Sequence, residues 1–169
     1  MTTVELADVE IRSTLKPGDL GAVIALHGWV YHRDMDFDVT FEAYVAQTIA
    51  EFVLDNACKG RIWLAEHAGR LVGCIAIADR EGERGQLRWL LLHPDARGIG
   101  LGGALVDKAM AYCRTKRFRQ VYLHTMAELD AAYSIYRSLG FEPVGEEELL
   151  LGGAPRTIVN MELSLAQAE

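Results

Sequence analysis

The chain has 169 residues, half of them hydrophobic and 24% charged, which suits one ordinary globular domain, residues 1–169, with a sizeable core. Seventeen Lys and Arg against 24 Asp and Glu give a net charge of −7, which argues against nucleic acid as a partner, because phosphate binding needs a basic face.

Met1 to Asp8 has no basic segment followed by an apolar run, so no secretory signal is expected. Val9 to Leu15 predicts a first strand, stopped by Pro17-Gly18. Asp19 to Tyr31 and Thr40 to Leu54 carry apolar residues at helical spacing and predict two helices. Between them lies an acidic-aromatic link, Tyr31 to Asp38. Arg61 to Glu66 and Arg70 to Ala78, joined at Ala68-Gly69, predict a hairpin. Gln86 to His93 is the next strand, ended by Pro94. The glycine-rich run Arg97-Gly98-Ile99-Gly100-Leu101-Gly102-Gly103 then opens a helix to about Lys116. Val121 to Thr125 reads as a buried strand, and Asp130 to Leu139 as a helix stopped by Gly140. Val144 to Leu151 and Thr157 to Leu165 predict a closing hairpin with Gly152 to Pro155 in its loop. This order implies an α/β fold, one domain with a mixed, mostly antiparallel sheet flanked by helices. Cys58, Cys74 and Cys113 are odd in number and form no CxxC pair, so neither a disulfide framework nor a metal site is expected, and a cytoplasmic location fits. No apolar stretch approaches the roughly 20 residues of a membrane span, so no membrane partner is expected either.

The glycine run carries the chemistry. First-turn helix amides have no intrahelical partner and carry partial positive charge, and glycines let a ligand come close to them. That makes a site for phosphate or pyrophosphate. A Walker loop is excluded, because Ala104-Leu105-Val106 follows Gly103 in place of Lys-Ser/Thr. Gly98-x-Gly100-x-x-Gly103 matches a dinucleotide fingerprint by letter, but it lacks an acidic residue at the end of the next strand, which is His124-Thr125.

The segment from Leu91 through His93-Pro94 to Arg97-Gly98-Ile99-Gly100-Leu101-Gly102 resembles the signature of the Gcn5-related N-acetyltransferase (GNAT) superfamily, with Arg97, Gly100 and Gly102 in its fixed places. A second element of that family stands downstream as Ala132-x-x-x-Tyr136-x-x-x-Gly140-Phe141. A nearer resemblance, His27-Gly-x-x-Tyr31 followed by Asp38-x-x-Phe41-Glu42, is similar to the acetyltransferase domain that some bacterial regulators carry behind a MarR-type winged helix. No winged helix accompanies it here, so DNA binding is not carried over.

The superfamily resemblance implies acetyl-coenzyme A as co-substrate and transfer of its acetyl group directly to a primary amine. It implies that the backbone of Leu90, Leu91 and Leu92 pairs with the pantetheine arm. Arg97 to Gly103 would hold the pyrophosphate, and Ala132 would leave room for the thiol end. It gives Tyr136 the role of acid to the leaving thiolate and makes Glu83 a candidate base. Each has a plainer reading: Tyr136 could simply pack on Phe141, Tyr133 one turn away is a rival, and Glu83 could be a solvated hairpin residue. Tyr31, Asp38, Phe41 and Glu42 fall in the region that covers the acceptor end. Asp34, Asp36 and Asp38 could hold an amine or form a solvated loop. His27 and His124 are candidates for a proton relay. Leu129 stands where many family members have an asparagine that contacts the cofactor. The expected partner is an amine on a metabolite, peptide or protein; a homodimer is allowed. The alternative is an acyl-coenzyme A-binding sensor or interaction module without catalysis.

Overall fold

The computed structural model describes residues 4–55 and 60–166, so Cys58 lies outside the described residues. Thirteen short or regular elements include β1 (Glu10–Arg12), α1 (Asp19–Met35), α2 (Val39–Leu54), β2 (Arg61–His67), β3 (Arg70–Arg80), β4 (Arg84–Leu92), α3 (Leu101–Thr115), β5 (Gln120–Met126), α4 (Asp130–Ser138), β6 (Glu142–Leu151) and β7 (Ala154–Ser164). The strands form one seven-stranded sheet in the order β1-β2-β3-β4-β5-β7-β6. Every neighbouring pair is antiparallel except β4 with β5.

Alternation along the strands divides the core in two. Ile75 and Ile77 of β3 face α3 with Leu105, Ala109 and Met110, whereas Cys74 and Ala76 face α1 and α2 with Val23, Val30 and Ile49. A third cluster, Phe37, Phe41, Val45, Met126 and Ile158, closes the α1–α2 junction onto β5 and β7.

The structure departs from the sequence expectations at three element boundaries. β1 covers Glu10–Arg12 only, because Arg12 turns into a double ion pair, at 2.7 Å from both Asp19 and Glu66, and the chain leaves the sheet there. α1 runs four residues past Tyr31 to Met35 and absorbs most of the acidic-aromatic link; Asp36 caps it at φ 55°, its N–H donating to the His32 carbonyl at 2.9 Å. The last hairpin turns on Gly152-Gly153 alone, both at positive φ (62° and 85°) as a type I′ turn requires, so Ala154 and Pro155 belong to β7. A side chain on Gly152 would collide with the Phe37 ring, so this turn docks on the α1–α2 junction, where the Asp38 N–H donates to the Gly152 carbonyl at 3.1 Å.

Candidate active site

The parallel pair β4–β5 is held only at Arg84 with Gln120, Gly85 with Val121 and Gln86 with Tyr122. Beyond these the strands part, and a gap opens between Leu87–Leu92 and Leu123–Met126. A bulge on the other edge of β4 sits beside the gap: between Cys74 with Leu91 and Ala76 with Arg88, one residue of β3 faces both Trp89 and Leu90. Trp89 lies at φ 51°, the left-handed region that a bulky side chain adopts only under strain, of order 1–3 kcal/mol. Its carbonyl accepts a hydrogen bond from the Cys74 Sγ at 3.1 Å. Burial pushes the Cys74 thiol up to about 12, so it keeps its proton and can donate. The Trp89 ring stands edge-on to Phe52 at 5.3 Å, and the Arg88 guanidinium lies over it at 4.6 Å. A bulge re-aims the strand after it.

On one side of the gap lies a cavity of about 520 Å³, bounded by the last turns of α1, by Leu90–Leu92, by the glycine run and by the start of α4. Gly100 is the N-cap of α3 at φ 85° and offers no capping side chain, so the first-turn amides of Leu101, Gly102 and Gly103 are left for another acceptor. A Cβ on Gly98 or Gly103 would meet nothing within 4 Å, and one on Gly102 would make ordinary contacts, 3.5 Å from Leu92 and 3.6 Å from Ile135. Open space over an uncapped helix start fits an anionic diphosphate. The Arg97 guanidinium stands beside it, bonded to Asp34 at 2.7 Å and reaching the Leu92 carbonyl at 3.4 Å. Ile99 is the member of the run that lies off this cavity; it packs on the core.

On the other side lies a second cavity, of about 350 Å³, between β4, β5, the β6–β7 turn and the α1–α2 junction. The two cavities share Tyr31, Leu90, Leu129 and Ala132. Tyr136 lines the second and is only 5% exposed. Its ring meets Phe141 at 5.9 Å across a Schellman cap, in which the Phe141 N–H donates to the Tyr136 carbonyl and the Gly140 N–H to that of Arg137, each at 3.0 Å. Burial raises the Tyr136 hydroxyl above its ordinary range, so it is protonated at neutral pH. Tyr133 lines neither cavity and packs partly buried on the core.

His27 and His124 also line the second cavity. The buried His27 has its Nδ1 2.8 Å from the Val23 carbonyl, which can only accept, so Nδ1 carries the proton and Nε2 is left as an acceptor. Burial pushes this imidazole down to about 4, and its ring lies parallel to that of Tyr31 with 6.1 Å between centroids. The His124 imidazole is held below its ordinary value, first by desolvation; Arg88 acts in the same direction and Glu147 against it. Burial lifts the Tyr31 hydroxyl to about 12.

Of the residues expected at the acceptor end, Tyr31 and Phe41 line the second cavity, whereas Asp38 and Glu42 line neither. Asp38 is the N-cap of α2 and accepts from the Thr40 N–H at 3.0 Å. The Glu42 carboxylate lies across Gly28, where a Cβ would collide with it. Glu83 is in the β3–β4 turn at the closed end of the β4–β5 pair, exposed and bound to Arg119 at 2.5 Å, outside both cavities. Asp34, one of the three link carboxylates, lines the first cavity through its bond to Arg97, and Asp36 points into solvent. Sequence reasoning missed Arg88 and Trp89. The polar alternation Arg84, Gln86, Arg88 was there to mark one face of β4, but no pattern signals a bulge.

The fold is similar to that of a spermidine N-acetyltransferase from Vibrio cholerae solved in complex with CoA and spermine: TM-score 0.71 at 21% identity, over 95% of this chain and 98% of that one. The profile of the acetyltransferase (GNAT) family matches residues 26–141, and the chain belongs to that family. The chain is 33% identical over 124 residues to a 5-NmdU N-acetyltransferase of Pseudomonas phage PaMx11, across 73% of this chain and 77% of that protein. It is 34% identical over 97 residues to an N-acetylaspartate synthetase of Danio rerio, across 56% of this chain and 34% of that protein. The chain thus spans about a third of the latter's length.

Proposed function

We propose that the protein transfers an acetyl group from acetyl-coenzyme A directly to a primary amine. The observation that carries this is the meeting of the two cavities at Tyr31, Leu90, Leu129 and Ala132, next to the buried phenol of Tyr136. A diphosphate on the amides of Leu101 to Gly103, an arm along Leu90–Leu92 and a thiol end beside Ala132 bring an acyl group to that junction.

The co-substrate supplies a thioester whose acyl carbon is the electrophile. Backbone N–H groups of β4 at the bulge, fixed before reaction, donate to the developing oxyanion. An incoming ammonium must first lose a proton, and the His124 imidazole, neutral at pH 7, accepts it directly or through water. The N–C bond forms, the C–S bond breaks, the Tyr136 O–H gives its proton to the departing sulfur, and the second amine proton, released as the amide forms, restores the phenol through solvent. Glu83 has no part in this scheme, because its carboxylate is engaged by Arg119 away from both cavities. Leu129, in place of the family's asparagine, offers only an apolar surface to both cavities.

The nearer likeness to the domains fused to MarR-type regulators is supported by His27, Tyr31, Asp38 and Phe41, which build the α1–α2 junction. The buried free thiols of Cys74 and Cys113 suit a reducing cytoplasm. No helix among the described residues is long and apolar enough to cross a membrane.

Titration with acetyl-coenzyme A, followed by a thiol-release assay against a panel of amines, tests the proposal. Binding with acetyl transfer to at least one amine supports it. Binding with no thiol released by any amine would establish the sensor reading instead.

A further inference from the structure

The sheet sets an amide beside an imidazole of the second cavity. His124 of β5 pairs directly with Asn160 of β7, and Asn160 with Gly145 of β6. Side chains directly opposite in an antiparallel pair share a face, with Cβ atoms about 5 Å apart. On that face His124 lines the cavity, as does Ile158, two residues before Asn160. The Asn160 Oδ1 is buried and has no hydrogen-bond partner among the described residues. On the β6 side Gly145 leaves space: a Cβ there would meet only the Asn160 Nδ2, at 4.0 Å. The amide therefore turns its nitrogen toward β6 and its oxygen away from it, on the side where β5 and His124 lie. A buried acceptor without a partner costs stability, and a neighbouring ring that gains a proton would give it one. The Val23 carbonyl fixes the tautomer of His27, whereas no such bond fixes that of His124 among the described residues; its ring rests 5.8 Å from that of Tyr122.

We propose that Asn160 is a positioning residue for His124: its Oδ1 accepts a hydrogen bond from one ring N–H, which fixes the tautomer and presents the other nitrogen to the incoming amine. This rests on the transferase reading above and on His124 as the base within it. When the free nitrogen takes the amine proton, the ring becomes an imidazolium and its bond to the neutral amide becomes charge-assisted, so the pair favours the proton-accepting step. The proton then leaves to solvent, and His124 returns to its neutral form. The charged and titratable groups around the ring are Tyr122 on its own strand, Arg88 of β4, Glu147 of β6 and Glu162 of β7, with His27, Tyr31 and Tyr136 across the cavity. Glu147 draws the proton to the ring and Arg88 opposes it.

The test reads melting temperature, kcat and the pH profile of kcat, using acetyl-coenzyme A and the fastest amine of the panel above. Asn160→Leu nearly keeps the volume and removes the unpartnered oxygen, so it should melt no lower than the parent. Its kcat should fall about tenfold, with acceptor KM and acetyl-coenzyme A affinity within twofold of the parent. The acid limb of kcat should move to lower pH by about half a unit or more, because the imidazolium has lost a partner. His124→Gln should lower kcat by itself, and Asn160→Leu added to it should bring no further loss. A parental kcat and acid limb in Asn160→Leu, whatever its melting temperature, overturns the assignment, as does an equal loss in the His124→Gln background. If Asn160→Leu does not fold, Asn160→Ala carries the same two readings: a lower kcat with a shifted acid limb supports the pair, and parental values overturn it. Parental kcat in His124→Gln removes the base, and this assignment with it, while leaving acetyl transfer standing. No thiol release from any amine in the parent overturns the transferase reading itself.

Discussion

The Arg97 guanidinium bonds the Asp34 carboxylate at 2.7 Å and so ties the last turn of α1 to the loop that opens α3. Both side chains are partly exposed, 45% and 32%, so the pair adds little to stability, of order 0–1 kcal/mol. Its effect falls on the ligand. Asp34 neutralises the cation that stands beside the proposed diphosphate site. Asp34→Asn is therefore expected to tighten acetyl-coenzyme A binding by about three- to tenfold at low ionic strength, with the gain shrinking in high salt. Arg97→Gln should weaken it. Calorimetry at two salt concentrations decides, and equal affinity for parent and Asp34→Asn at low salt would count against a diphosphate at this place.

Gly102 and Gly100 separate binding from folding. A Cβ at Gly102 meets only ordinary contacts, so Gly102→Glu should fold normally and lose acetyl-coenzyme A by filling the cradle with a carboxylate. Gly100 sits at φ 85°, so Gly100→Ala should cost about 1 kcal/mol or more of stability through backbone strain. Melting curves alongside titrations of both variants check this; a Gly102→Glu protein with parental affinity would exclude the cradle.

Different substitutions separate the packing of the Tyr136 ring on Phe141 from the proposed role of its hydroxyl. Tyr136→Phe keeps the ring against Phe141 and removes the hydroxyl, so turnover should fall by about 10²-fold with stability and cofactor affinity little changed. Tyr136→Ala also empties a buried site and should destabilise by about 3 kcal/mol or more. Tyr133→Phe should leave turnover near the parental value. Normal turnover in Tyr136→Phe would assign the proton to water.

His27 should make stability depend on pH. Its folded pKa, about 4, lies below the reference value of 6.5, so the unfolded chain binds the extra proton first as pH falls. The contribution is fully present above pH 6.5 and is lost progressively toward pH 4, by about 3 kcal/mol at most. Urea unfolding at several pH values should show this slope, and His27→Leu should flatten it even if the variant is weaker at neutral pH. An identical slope in the variant would locate the proton elsewhere, with Asp19 and Glu66, whose carboxylates Arg12 holds low, as the next groups to titrate.

Asp38→Ala should cost about 1 kcal/mol as the loss of a helix cap, with acceptor KM unchanged. A raised KM at parental stability would return Asp38 to the acceptor site.

What the sequence made legible was local. The glycine run, the helix faces and the Gly140 cap each depend on residues a few positions apart, and each stands where periodicity and turn chemistry put it. Asp38 also gave a local sign, an aspartate immediately before an apolar helical pattern, which is a capping signal before it is a ligand. Glu83 stands outside both cavities, and the start of a strand says nothing about which end of its pairing will open. The gap, the bulge at Trp89 and the platform under Arg88 depend on the register of β4 against strands both before and after it in the chain, and register is written in no short segment.

The parting of β4 from β5 has a mechanical side. Among the described residues, three residue pairs are all the ladder that joins the β1–β4 half of the sheet to the β5–β7–β6 half. The sheet therefore carries a perforated seam, and the two halves should breathe about it. A ligand lying across the junction bridges both sides of that seam and acts as a staple. Amide hydrogen exchange along Leu123 to Met126, which has a ladder partner in β7 but none in β4, should slow on ligand binding by more than exchange within the β2–β3 hairpin.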